Sequence, residues 1–209
     1  MDCFESVVSL LALILAAISI GLLFVMECIR RPFLEFIPHR DEMTSERYMW
    51  YHPKIKNKKP RIWFNRDAAI ECIAMVSFLN KNTKEELVPQ IEARWTNQVF
   101  DSTQISVCQR KNVGFRPEKF DILIKYAGDS GFYAVDPWVV HCYSKGQPKY
   151  EKLRVDTDES IIKVEIEAIN LGRRQEAEFL LKNKGTRPSD IEIILLKNEY
   201  FAKFVPRIL

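Results

Sequence analysis

Residues 6 to 26 form an uncharged run of 21 residues, SVVSLLALILAAISIGLLFVM, which limits what this chain can fold into more than any other feature. At about 1.5 Å per residue, a helix of this length extends roughly 31 Å, which matches the hydrocarbon core of a bilayer. Thirteen of the 21 residues are Val, Leu, Ile or Phe, and no proline interrupts them. Because such a helix has no polar face for water, we predict that it spans a membrane.

The residues that flank the run disfavour a cleaved signal peptide. Signal peptides begin with basic residues and carry an apolar run of roughly 7–15 residues. This chain begins MDCFES, which is acidic, and its run is longer. A lipid anchor at Cys28 is disfavoured as well, since bulky Met26 and charged Glu27 precede it. We therefore expect residues 6–29 to remain as a transmembrane helix with the lipid bilayer as their partner.

The distribution of basic residues predicts the orientation of this helix. No Lys or Arg precedes residue 30, whereas Arg30, Arg31, Arg40 and Arg47 follow the run. Basic flanks stay in the cytoplasm, so Arg30 and Arg31 are the residues expected to determine topology. The cell membrane is thus the predicted location, with a cytoplasmic C-terminal part. An odd number of cysteines follows the span, which agrees with a reducing compartment. They are Cys72, Cys108 and Cys142.

The excess of positive charge is concentrated next to the predicted span. Residues 30–66 contain ten basic and four acidic residues, whereas residues 67–209 contain 21 of each. A domain that binds nucleic acid over one face needs a basic face of its own, so nucleic acid is an unlikely partner of the domain as a whole. The expected organisation is a short tail (1–5), a transmembrane helix (6–29), a juxtamembrane strand and connector (30–42), a β-sandwich domain (43–197) and a C-terminal tail (198–209).

Alternation of apolar and polar residues is the recurring pattern of the long C-terminal part. In SIIKVEIEAIN, one face carries Ile162, Val164, Ile166 and Ala168, and the other carries Lys163, Glu165 and Glu167. This period of two is typical of a strand with one buried face. After NLGRR, a second alternating segment places Ala177, Phe179 and Leu181 inward. Together they predict an antiparallel hairpin that ends near Gly185.

Other segments extend the same pattern. RPFLEFIPH and SDIEIILL read as strands, and a long strand is predicted to bury Ile70, Cys72, Ala74, Val76 and Phe78 on one face. Strands at this spacing, about eight or nine in all, favour an all-β antiparallel sandwich over a parallel α/β sheet. Trp95 is predicted to be a core residue. Only TKEELVPQI and EYFAKFV read as short helical patches.

The order of these segments is similar to a known group. The membrane helix, RPFLEFIPH, a strand ending in KIKNKK, AAIECIAMVSF, ARWTN and the closing FLLKNKG hairpin resemble uncharacterised, mostly archaeal, single-pass membrane proteins. The resemblance implies an immunoglobulin-like β-sandwich. It implies no activity, cofactor or site residue.

Two motifs suggest chemistry, and each has a stronger structural interpretation. His141 and Cys142 are adjacent, but neighbours on a strand point to opposite faces and do not converge on a metal or substrate. Asp156, Asp158, Ser160 and Glu167 occupy calcium-loop spacing, yet Ile161 stands where that loop needs Gly. We expect an acidic turn before a strand, although a looser calcium site at the edge stays open. No catalytic residue, resident metal or cofactor is predicted.

Five cations form the candidate binding site, which we call the basic tip: Lys54, Lys56, Lys58, Lys59 and Arg61. They interleave with aromatic residues in YMWYHPKIKNKKPRIWF. A solvated hairpin loop is the first interpretation, contact with anionic lipid headgroups is the second, and stacking of single-stranded nucleic acid is the third. The sequence thus favours a non-enzymatic, membrane-anchored module for binding or scaffolding at the cytoplasmic face. An outward-facing adhesion domain is the alternative, followed by an enzyme with an unrecognised site. The sequence identifies no protein partner.

Overall fold

The computed structural model describes residues 2–38, 47–59, 66–96, 110–135, 151–171 and 174–198. It begins with one helix, α1 (Asp2–Arg30), whose side chains from Val7 to Val25 are exposed. Within the described ranges, only α1 is long and apolar enough to cross a membrane, over Val7–Glu27, and none of that stretch is buried. A membrane anchor and a signal sequence share these properties.

Fourteen strands follow α1 in the part of the chain that the structure describes. The first seven are β1 (Leu34–Ile37), β2 (Tyr48–Tyr51), β3 (Lys54–Asn57), β4 (Ala69–Asn80), β5 (Glu86–Glu92), β6 (Arg94–Trp95) and β7 (Lys111–Val113). The second seven are β8 (Glu118–Asp121), β9 (Leu123–Tyr126), β10 (Phe132–Ala134), β11 (Arg154–Val155), β12 (Glu159–Glu167), β13 (Gln175–Asn183) and β14 (Ile191–Asn198). A 3₁₀ turn, Pro188–Asp190, precedes β14.

The strands form three antiparallel sheets. The largest has the order β14-β13-β12-β4-β5, with β7 also paired to β4. The other two have the orders β1-β3-β8-β6 and β11-β10-β9-β2. The predicted antiparallel β-rich domain behind an N-terminal apolar helix is therefore confirmed. The strands are divided among three sheets, however, where the sequence predicts two.

Aromatic contacts connect the large sheet to both smaller sheets. Phe36 of β1 meets Phe179 of β13 edge-to-face at 6.4 Å, and Phe78 of β4 lies 5.8 Å from Phe132 of β10. These residues belong to one continuous apolar cluster. The predicted core residue Trp95 is 1% exposed, and it packs against Phe120 at 5.5 Å. All three sheets therefore share one hydrophobic core.

The predicted hairpin is present as β12 and β13. Ile162 pairs with Phe179 and Val164 with Ala177, and all four side chains are buried. The prediction is wrong for Glu165, which is expected on the solvent-exposed face of the strand but is only 6% exposed. Its strand is central in the sheet, and neighbouring side chains cover it. Lys163 Nζ and Arg174 Nη1 each donate to it at 2.6 Å, and Gln90 Nε2 donates at 3.2 Å.

The prediction for the start of β4 is wrong at one position. Cys72, Ala74, Val76 and Phe78 are buried as expected, but Ile70 is 42% exposed. The pairing of β4 with β7 shifts register between Ala69 and Cys72, and Glu71 has a φ of 53°. An extra residue at a bulge reverses the alternation of faces. Ala69 is therefore buried in place of Ile70.

The segment TKEELVPQI forms strand β5, not the predicted helical patch. Val88 pairs with Phe78 and Ile91 with Val76, so apolar side chains of β5 add to the core. Proline cannot donate to a sheet ladder and is tolerated at edges and bulges. Exposed Pro89 lies on the last strand of the sheet order, opposite a shift of register. The second predicted patch, EYFAKFV, lies outside the described residues.

A buried lysine fixes the turn between β9 and β10. Lys125 is 0% exposed, and its Nζ donates to the carbonyl oxygens of Ser130 and Gly131 and to Asn183 Oδ1, at 3.0–3.1 Å. Burial lowers the pKa of this ammonium, while nearby Asp129 opposes the shift. Lys125 therefore ties the β9–β10 turn to the end of β13.

Candidate functional site

The end of α1 is joined to the sheets by backbone hydrogen bonds. The amide of Asp67 donates to the carbonyl oxygen of Arg30 at 2.9 Å, and the amide of Lys58 donates to the carbonyl oxygen of Phe33 at 2.7 Å. Strand β3 runs antiparallel to β1, with Asn57 opposite Leu34. Strand β3 thus returns to the point at which the chain leaves α1.

We call this connection between the end of α1 and the sheets the joint. Two buried amide side chains complete it. Asn57 is 1% exposed; its Oδ1 accepts from the amide of Phe33 at 3.0 Å, and its Nδ2 donates to Asp67 at 2.6 Å. Gln175 is 3% exposed, and its Oε1 accepts from the amide of Leu34 at 3.0 Å. The side chains bring together residues that are distant in sequence: the exit from α1, the end of β3, the approach to β4 and the start of β13.

Basic side chains surround the joint, and we name this set the basic collar: Arg30, Arg31, Lys58, Lys59 and Arg66. Lys58 Nζ lies 5.6 Å from the centre of the Phe33 ring, and Arg66 Cζ lies 5.2 Å from it. Lys59 Nζ lies 5.9 Å from the ring of Phe115. Rings positioned beneath cations limit where these charges can move. Arg30, Lys58 and Lys59 are exposed.

The structure divides the predicted basic tip. Lys54 and Lys56 belong to strand β3, and Lys56 pairs with Glu35 of β1 at 3.4 Å. Lys58 and Lys59 follow the strand at the joint, and Arg61 lies outside the described residues. Lys54 and Lys56 therefore lie on a paired strand and not in a loop, because β3 pairs along its length with β1.

Arg66 is a collar residue that sequence reasoning missed. Its place in the basic segment was visible, but its position beside Phe33 depends on the hydrogen bonds of Asn57 and Asp67. Two exposed carboxylates, Glu27 and Asp67, also lie near the end of α1 and offset part of the collar's charge. The collar nevertheless has five cations around two such acids.

A second polar cluster lies inside the domain. Asp121 is fully buried and accepts hydrogen bonds from His52 Nε2 at 2.7 Å, Thr96 Oγ1 at 3.0 Å and the guanidinium of Arg94. Arg94 Cζ lies 5.4 Å from the ring of Trp50, which stacks on His52 at 6.2 Å. A His–Asp pair is a common general base. Here both Asp121 oxygens are engaged and the His52 side chain is only 9% exposed, so the cluster ties strands together.

The described residues of the calcium-like motif do not converge on a metal site. Ser160 and Glu167 of the calcium-like motif lie seven residues apart along β12, roughly 23 Å in an extended strand. Arg154 pairs with Asp156 at 3.0 Å. Within the ranges the structure describes, no three His, Cys, Asp or Glu side chains group as metal ligands. His141 and Cys142 lie outside those ranges.

Cys72 is an unreactive thiol in this fold. It is 0% exposed and is not in a disulfide. Burial raises the pKa of its thiol to about 12, while a backbone hydrogen bond from Val113 opposes the shift. Since the thiolate is the nucleophile and the metal ligand, Cys72 has a packing role.

Comparisons with protein-family models, curated proteins and solved structures found no match for this chain. The resemblance to archaeal single-pass proteins therefore stays a prediction. The candidate site rests on the joint and on the basic collar.

Proposed function

We propose that this chain is a single-pass membrane protein whose β-domain is a non-enzymatic binding or scaffolding module at the cytoplasmic membrane face. One observation carries the proposal: Lys58, Lys59 and Arg66 are held beside Arg30 and Arg31 at the end of a helix with the length of a bilayer span. Cations at that position meet the headgroups of the leaflet that the helix leaves.

Anionic headgroups suit this arrangement. Each Lys or Arg near an anionic leaflet contributes about 1 kcal/mol, and salt screens the attraction over roughly 8–10 Å. Lys54 and Lys56 run along β3, away from the joint, so we assign the contact to the basic collar and not to the whole basic tip. The positive-inside rule places the collar in the cytoplasm, where anionic lipids are abundant.

For the domain itself, we propose an immunoglobulin-like sandwich related to the archaeal single-pass group. The Phe36–Phe179 and Phe78–Phe132 contacts support a large sheet that faces the two smaller sheets across one core. In this view, the two smaller sheets together correspond to the second layer of the sandwich.

The orientation is tested with a C-terminal reporter that is active only outside the cytoplasm. We expect no reporter activity in the unaltered protein, and an increased outward fraction after Arg30→Ser and Arg31→Ser, because the basic flank is then weaker. Strong activity in the unaltered protein would overturn the cytoplasmic assignment and support the adhesion alternative.

The lipid contact is tested by lysine acetylation of the full chain in nanodiscs, read by mass spectrometry. We expect Lys58 and Lys59 to react about fivefold more slowly in anionic than in neutral nanodiscs, with the difference lost at high salt. Lys84 is the internal control, because it lies beyond the far end of β4, about 36 Å along the strand from Ala69. Equal rates in both lipids would show that the collar is merely solvated.

A further inference from the structure

Two exposed isoleucines are held side by side at the base of the domain. Ile70 is 42% exposed and Ile169 is 71% exposed. The amide of Ile169 donates to the carbonyl oxygen of Ile70 at 3.1 Å. Asn170 fastens the pair, because its Oδ1 accepts from the amide of Ile70 at 2.9 Å and its Nδ2 donates to Ala68 at 2.7 Å.

The pair lies at the end of the domain where α1 enters. The amide of Asp67 is bonded to the carbonyl oxygen of Arg30 at the end of α1. Ile70 is three residues after Asp67, so the Cα atoms of Asp67 and Ile70 are at most roughly 11 Å apart. Ile169 belongs to the turn between β12 and β13, and that turn leads into Gln175, which is bonded to Leu34. Both segments are therefore fixed to the first residues after the helix.

The exposure of Ile70 is produced by the backbone. The β4 bulge places Glu71 in the left-handed region, where side chains other than glycine are uncommon. Its amide is bonded to Asn112 Oδ1 at 2.9 Å, and its carboxylate pairs with Arg110. A regular strand would bury Ile70, and bulges often re-aim a side chain next to a functional site.

We infer that Ile70 and Ile169 form an apolar contact that enters the interface of the leaflet at the C-terminal end of α1. The occupant is lipid, because the isoleucines share the base of the domain with the basic collar and with the helix that would anchor it. Cations attract the headgroups, and aliphatic side chains then contact the acyl boundary, as in interfacial binding segments. This inference rests on the proposed function, in which α1 spans the bilayer.

The test places the photo-crosslinker p-benzoylphenylalanine in the full chain, one position at a time, in nanodiscs. The positions are those of Ile169, of Val25 in α1, and of Asn82 in the distant β4–β5 turn. Adducts are identified by intact mass. We expect lipid adducts at Ile169 at about tenfold the level at Asn82, since burial of one aliphatic side chain supplies a preference of that order. The adducts should persist at high salt, and Ile70→Asn should reduce them.

The outcomes separate the inference from the proposed function. Lipid adducts at Val25 without adducts at Ile169 would overturn the interfacial contact and leave the anchor intact. Adducts to a second protein chain at Ile169 would also overturn it, because the occupant would then be protein. Absence of lipid adducts at Val25 would refute the spanning helix itself.

Discussion

Asn57 is the residue whose removal tests the joint most directly. Its buried side chain accepts from Phe33 and donates to Asp67. In Asn57→Ala both backbone groups lose these partners; the bond to Phe33 is buried and the bond to Asp67 is part-buried. Each such loss costs about 1–3 kcal/mol when the group is fully buried. Because the Asp67 carbonyl oxygen is only part-buried, we expect a total in the lower part of the summed range, about 2–4 kcal/mol. Asn57→Asp keeps the acceptor for Phe33 but places a carboxylate against the Asp67 carbonyl oxygen, so it should restore only part of the loss.

The assay is urea unfolding of the full chain in detergent micelles, followed by tryptophan fluorescence, to which buried Trp95 contributes. The free energy of unfolding is obtained by linear extrapolation. Asn82→Ala is the control, because Asn82 is exposed in the β4–β5 turn. A loss below about 0.5 kcal/mol for Asn57→Ala, the range of ordinary surface substitutions, would refute a rigid joint.

Three further predictions use the same unfolding assay. Phe179→Ala should cost about 3–5 kcal/mol, because a fully buried ring is lost, while Glu178→Ala on the neighbouring position should stay within about 0.5 kcal/mol. Burial opposes ionisation of Glu165, but hydrogen bonds and charges from Lys163, Gln90 and Arg174 outweigh it and lower its pKa below 4.5. The contribution of Glu165 to the free energy of unfolding should therefore be present above about pH 4.5 and fall as the pH drops towards the folded pKa. Glu165→Gln should flatten the plot of unfolding free energy against pH in that range. Lys125→Met should cost about 1–3 kcal/mol, since three acceptors lose their donor; an unchanged midpoint would show that the tie to the β9–β10 turn is dispensable.

The local pattern of apolar and polar residues is sufficient to predict the elements whose composition separates buried from exposed positions clearly. The apolar run predicts α1, and alternation predicts β12 and β13 down to the buried positions Ile166 and Phe179. It fails at Ile70, since the bulge at Glu71 depends on contacts with Asn112 and Arg110 from a distant segment. It fails at Glu165 for a similar reason, because Arg174 reaches it from the β12–β13 turn and Gln90 reaches it from β5.

The candidate site was only partly predictable. Lys58 and Lys59 were visible as part of a basic cluster, but the sequence does not show that β3 carries them back to the end of α1. That return depends on antiparallel pairing of β1 with β3 and on the amide side chains of Asn57 and Gln175. Hydrogen bonds over 24 and 141 residues leave no periodic pattern in the sequence.

The short connection between α1 and β1 also has a mechanical consequence. Only three residues separate Arg30 from Leu34, and the Asp67 and Asn57 hydrogen bonds bind the domain to that connection on another side. A domain on a flexible linker samples all directions around its anchor, whereas this one is constrained to turn with its helix. Rotation or tilt of the helix would sweep the far ends of β4 and β12 through an arc. A partner that binds this distal end would thus meet a surface at a fixed distance from the end of α1 and in a restricted range of orientations.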